Sequence, residues 1–177
     1  MPPQADVEYL LIGAEALAEV LPFPNKVAVV YMTGAQLLET LEAASQGLPY
    51  TAETADACAS LMQVSGLTYT VDTTKAYDAL EAYGDHWFTA GSVSRVRIDD
   101  VNGQPFDAEA TYAVVTSNAN FNGMDSSYVL KAAAEANEQS AVTTAVVRDV
   151  VFRFIAAELN HQVGEAYAAP QGRLTIL

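Results

Sequence analysis

The chain has 177 residues, 51% hydrophobic and 17% charged, which suits one compact domain with a sizeable core and excludes intrinsic disorder. Its 22 acidic residues against 8 basic ones leave a net charge of −14, and such a field repels nucleic acid, anionic membranes and polyphosphates. One cysteine, Cys58, excludes an internal disulfide and a multi-Cys metal site. No apolar run approaches the roughly 20 residues that span a bilayer. Met1-Pro2-Pro3-Gln4 offers neither a basic n-region nor an apolar h-region, so no secretory signal is expected within the chain itself.

In chain order, Ala14 to Val20 reads as a short helix, stopped by Leu21-Pro22-Phe23-Pro24 because a residue before proline leaves the helical region. Lys26 to Met32 is a nearly continuous β-branched run, expected to be a strand buried on both faces. Thr33 and Gln36 match a capping box for a helix with Leu37, Leu38 and Leu41 on one face, ending before Gly47. Residues 48–60 read as a loop. Leu61 to Val71 reads as a long strand with a break at Ser65-Gly66, and Asp72 or Thr73 is expected to cap a short helix over Thr74 to Tyr83. Val93, Val96 and Ile98 lie on a strand running into Asn102-Gly103, a hairpin signal because both residues tolerate positive φ. Tyr112 to Thr116 is expected to be a central strand. Asp125 is placed to cap a helix from Ser126 to about Asn137. A last helix is expected over Thr144 to Leu159, with Val147, Val151, Phe154 and Ile155 on one stripe, and a final strand over Arg173 to Leu177. Strands and helices in this mixed order indicate an α+β fold, a mixed β-sheet sandwiched by helices.

Catalytic machinery is hard to find. The two histidines, His86 and His161, have no ligand-like spacing; the first sits in an aromatic cluster with Trp87 and Phe88, the second at a helix C-terminus. There is no Gly-x-Ser-x-Gly elbow, Walker loop or dinucleotide glycine signature, and Cys58 carries no nucleophile pattern. Asp99 and Asp100 are adjacent on a strand, so their side chains are expected on opposite faces, unable to share a substrate. One loop stands apart. Thr116-Ser117-Asn118-Ala119-Asn120-Phe121-Asn122-Gly123-Met124-Asp125-Ser126 leaves the carboxyl end of a strand and enters a helix N-terminus, where ligand sites of such sheets concentrate. Its amides and carboxylate around one exposed aromatic fit either an ordinary capped turn or a grip on a flat, hydrogen-bonding ligand.

The order of these motifs has a counterpart. Val20-Leu21-Pro22-Phe23-Pro24-Asn25, Thr33-Gly34-Ala35-Gln36-Leu37, Gln63-Val64-Ser65-Gly66-Leu67-Thr68-Tyr69, Arg95-Val96 to Ile98, Gly103-Gln104-Pro105, the Tyr112 strand, Asn122-Gly123-Met124-Asp125 and Gly172-Arg173-Leu174 resemble, in series, the C-terminal domain of the 5′-nucleotidase and UDP-sugar hydrolase family. The resemblance runs over residues 12–177, with 1–11 as a truncated lead-in. It implies the non-catalytic, substrate-binding half of a secreted phosphoesterase, working beside an N-terminal two-metal domain. Divalent metals are then expected only in that other domain, with no cofactor in this one. The expected ligand is a nucleoside or nucleotide, with neither nucleic acid nor a membrane span involved, and the location is extracellular, periplasmic or at the cell surface. By position, the resemblance makes Asn118, Phe121, Gly123 and Asp125 the substrate-facing residues, with none catalytic. The family's two stacking phenylalanines fall at Ala119, with Phe121 two residues on as a substitute, and at Val27. Its Gly-Gly-Asp-Gly loop reads Gly123-Met124-Asp125-Ser126 here, and its Gly-Gly-x-Arg segment falls before Ile12. These departures frame the alternative, a structural or interaction module that keeps the fold without the pocket.

Overall fold

The computed structural model describes residues 10–11, 14–52, 60–77 and 93–177. Cys58 and the cluster of His86, Trp87 and Phe88 lie outside them. The chain divides into two compact units, residues 1–26 with 144–171, and residues 27–143 with 172–177.

The first unit holds β1 (Leu10–Leu11), α1 (Ala14–Val20), α5 (Val147–Glu158) and β7 (Gln162–Val163). Strands β1 and β7 pair antiparallel, and α1 packs on α5. The expected stripe on α5 is buried only at Ile155, while Phe154 and Val150 are exposed. The Ile155 carbonyl accepts the His161 N–H at 2.9 Å, and Asn160 and His161 both take positive φ, which closes the helix. The expected start of this helix at Thr144 is corrected: β6 (Ala141–Val146) is a strand and the helix begins at Val147. Ala141-Val142-Thr143-Thr144-Ala145-Val146 is rich in β-branched residues, which favour the extended state.

The second unit carries the core. Strand β2 (Lys26–Thr33) lies between β5 (Thr111–Ser117) and β6, while β3 (Leu67–Val71) lies between β4 (Val96–Val101) and β8 (Leu174–Ile176). The second of these sheets is mixed, with β4 antiparallel and β8 parallel to β3. Helices α2 (Gly34–Ala44) and α4 (Tyr128–Ala136) pack on one another, and Leu37, Leu41 and Leu130 join Val30, Met32, Tyr69, Val71 and Ile98 in one cluster. The α+β class is as expected, although the strands form separate sheets rather than one.

Thr33 caps α2 through the complete capping box, with the Gln36 N–H on its hydroxyl at 3.2 Å and its own N–H on Gln36 Oε1 at 2.9 Å. Gly34 follows because nothing larger fits: an added Cβ would stand 2.2 Å from the Asp107 carbonyl oxygen and 2.8 Å from Ala108 Cα. Gly34→Ala should therefore lose about 1–3 kcal/mol in urea unfolding, and an unchanged midpoint would contradict this packing.

Several local expectations give way to tertiary context. Strand β2 buries one face fully (Ala28, Val30, Met32) and the other only partly. Residues 61–64 are not strand, and β3 starts beyond Gly66, whose φ is 79°. Asp72 does not cap a helix; its carboxylate accepts the Thr74 N–H at 3.1 Å in a local turn, and residues 78–83 lie outside the described set. Helix α4 begins at Tyr128, with Ser127 rather than Asp125 at the cap. Among the described residues β5 is an edge strand, not a central one, because β2 alone pairs with it. Asp99 and Asp100 do share a face. A register shift between Thr68 and Tyr69 sets the extra residue Asp99 into β4, so Asp99 accepts from Thr70 Oγ1 at 2.8 Å and Asp100 accepts from Thr68 Oγ1. Both carboxylates are thus held by β3 hydroxyls.

Candidate functional site

The loop singled out in the sequence leaves β5 and immediately forms a one-turn helix, α3 (Asn118–Phe121), capped by Ser117, whose hydroxyl accepts the Asn120 N–H at 3.2 Å. The Asn118 carbonyl accepts both the backbone N–H of Asn122 at 3.1 Å and its side-chain amide at 2.7 Å. Gly123 then takes φ 88°, and an added Cβ would meet Lys131 Cδ at 3.1 Å. Asp125 and Ser126 both adopt positive φ, a conformation that aspartate tolerates better than most residues. The Ser126 hydroxyl accepts from Gln46 Nε2, which ties the loop to the end of α2.

Of the four expected residues, Asp125 alone borders a groove of this unit with a volume of about 980 Å³. Asn120 borders it too, a residue the sequence reading passed over although the Ser117-x-x-Asn120 cap that aims it was legible. The Asp125 side chain has no hydrogen bond or ion pair among the described residues. Asn118 and Gly123 shape the loop. Phe121, expected as an exposed aromatic, is half-buried and packs against the hydrophobic cluster. The register sets Val27 opposite Ser117, two residues before Ala119, so Val27 and Ala119, the positions expected to match stacking phenylalanines, fall at the same end of the β2–β5 pair. Among the described residues no three His, Cys, Asp or Glu side chains group as metal ligands, and no helix is long and apolar enough to cross a membrane.

A sequence model described as "5′-nucleotidase, C-terminal domain" matches residues 9–132. The chain belongs to the 5′-nucleotidase C-terminal domain family. The fold agrees. Against the 5′-nucleotidase precursor from Thermus thermophilus the TM-score is 0.67 at 28% identity, covering 94% of this chain and 28% of that one. Against the NAD nucleotidase of Haemophilus influenzae it is 0.63 at 18% identity, covering 94% and 27%. No curated protein matches the chain. This 5′-nucleotidase C-terminal domain therefore spans little more than a quarter of the length of these solved relatives.

Proposed function

We propose that this 5′-nucleotidase C-terminal domain binds the nucleoside part of a substrate and leaves hydrolysis to a separate metal-bearing domain of a phosphoesterase acting outside the cytoplasm. The observation that carries the reading is Asp125, a carboxylate without a partner among the described residues, held by positive φ where the 116–126 loop meets an apolar groove. A carboxylate there accepts ribose or base donors, and Asn120 beside it both donates and accepts. Divalent metals belong to the other domain in this reading. Among the described residues no Lys, Arg or His borders the groove, and the net charge is −14, so an added phosphate should contribute no affinity.

A few hydrogen bonds and apolar contact, set against the entropy of association, give a dissociation constant of about 1 mM or weaker. In an amide-shift titration, adenosine and uridine should move residues 116–128, AMP should bind no more tightly, and Asp125→Ala should abolish the shifts. No shifts at millimolar nucleoside would overturn the reading. The second reading, an interaction module, is favoured by one feature, the packing of Phe121 into the core where a stacking aromatic would stand free.

A further inference from the structure

The groove beside Asp125 has a second property, unrelated to nucleosides: one wall is the edge of a β-strand that no other described residue pairs with. Thr111 to Thr116 border it consecutively, whichever face each side chain takes. Which backbone groups lie open follows from β2. The Tyr31 N–H donates to Ser140 Oγ at 3.0 Å and the Val27 carbonyl accepts from Thr143 Oγ1 at 2.8 Å, both on the side of β6. Odd-numbered residues of β2 thus turn away from β5, and even-numbered ones bond to it, because the ladder alternates. The register pairs Ala28 with Thr116, Val30 with Val114 and Met32 with Tyr112. The N–H and C=O groups of Thr111, Ala113 and Val115 are left on the outer edge, with no partner among the described residues.

The opposite wall is formed by residues 60–67. The carbonyl of Met62 accepts from Tyr69 Oη at 2.6 Å, that of Val64 from Arg173 Nη1 at 3.4 Å, and that of Gly66 from the Asn102 N–H at 2.7 Å. These three carbonyls are therefore already bonded to other parts of the domain. Leu37, Leu41 and Leu130 also line the groove between these walls. Among the described residues, Asp125 is the only charged one that borders it.

We propose that this slot accepts an extended peptide segment that pairs antiparallel with β5, apolar at alternate residues and basic at its N-terminal end. Edge addition uses the ladder positions left open at Ala113 and Val115, and alternate apolar side chains would enter the leucine-lined space. The direction follows from the strand: an antiparallel partner begins where β5 ends, beside Asp125, in a domain of net charge −14. A cation at that end is matched and an anion is repelled.

The test uses the chain with an acetylated, amidated Arg-Val-Thr-Val-Thr-Val peptide and reads amide hydrogen exchange. At saturating peptide the amides of Ala113 and Val115 should exchange at least tenfold more slowly, while Tyr112 and Val114, already paired, should change little. Replacing the peptide arginine by glutamate should weaken binding at least tenfold, and N-methylation of alternate peptide amides should abolish it. Ala113→Pro should also abolish it while keeping the unfolding midpoint within a few degrees, since that N–H takes no part in the β2 ladder. If the proline variant unfolds, the N-methylated peptide carries the same test. Equal binding of the N-methylated peptide, no slowing with any peptide, or Ala113 and Val115 already slow in the free chain through its own residues or a second copy would each overturn the proposal. The nucleoside reading is separable, because it predicts shifts at 116–128 with uridine alone and no protection at Ala113.

Discussion

Replacing Glu42 by alanine should destabilise the domain by about 3–5 kcal/mol, the usual effect of removing one member of a buried charged group. Glu42 is 0% exposed. From the last turn of α2 its carboxylate accepts the N–H groups of Arg95 at 3.2 Å and Val96 at 2.9 Å, and the Ser94 hydroxyl at 3.3 Å. The Arg95 side chain, on a residue 4% exposed, donates to the Leu48 carbonyl at 2.7 Å and lies over the Tyr77 ring at 5.9 Å. Burial lowers the guanidinium pKa, and the nearby Glu42 charge opposes that shift. Without the carboxylate, two backbone donors lose their acceptor and a buried cation loses its counter-charge. Thermal unfolding should fall by on the order of 10 °C for a domain of this length. Glu42→Gln should lose less, since one acceptor oxygen remains. The pair Glu42→Met with Arg95→Met should lose less than the sum of the two single changes. A loss below about 1 kcal/mol for Glu42→Ala would show that the group contributes little to stability.

The second large effect is alkaline. Tyr69, 1% exposed, donates its hydroxyl to the Met62 carbonyl, and burial pushes its pKa up to about 12. Burial raises Tyr77 as well, with the Tyr128 hydroxyl beside it adding to the shift, and burial also raises Tyr128. A folded-state pKa above the unfolded value near 10 means that the stability is fully present below about pH 10. It is then lost as the pH climbs toward 12, because the unfolded chain ionises first. For Tyr69 the slope is about 1.4 kcal/mol per pH unit, giving a loss of about 2–3 kcal/mol across the interval. Urea midpoints at pH 9, 10 and 11 should fall progressively, and Tyr69→Phe should flatten part of that slope. A midpoint constant to pH 11 would show that these phenols are not held neutral by the fold.

Much of this protein was legible in its residues. The capping box at Thr33 and Gln36, the β-branched run of β2, the Asn102-Gly103 turn with both residues at positive φ, and the α+β class depend on near neighbours, where propensity and backbone sterics act directly. The ordered motifs also sufficed for the family, and several of them sit in turns and caps whose geometry admits few residues.

What escaped is what depends on distant partners. Whether β5 is central or at an edge turns on pairing with a strand some eighty residues earlier, and Tyr-Ala-Val-Val-Thr reads the same either way. The shared face of Asp99 and Asp100 rests on one register shift against β3, invisible to a rule of strict alternation. Phe121 looked free because its loop is polar, yet the one-turn helix that follows Ser117 carries it against the core. Residue type and spacing determined the local conformations, the absence of a recognisable nucleophile motif and the family. Only the tertiary structure decided which backbone edge borders the groove and which of the expected loop residues reach it, because those exposures are set by what packs on the other side.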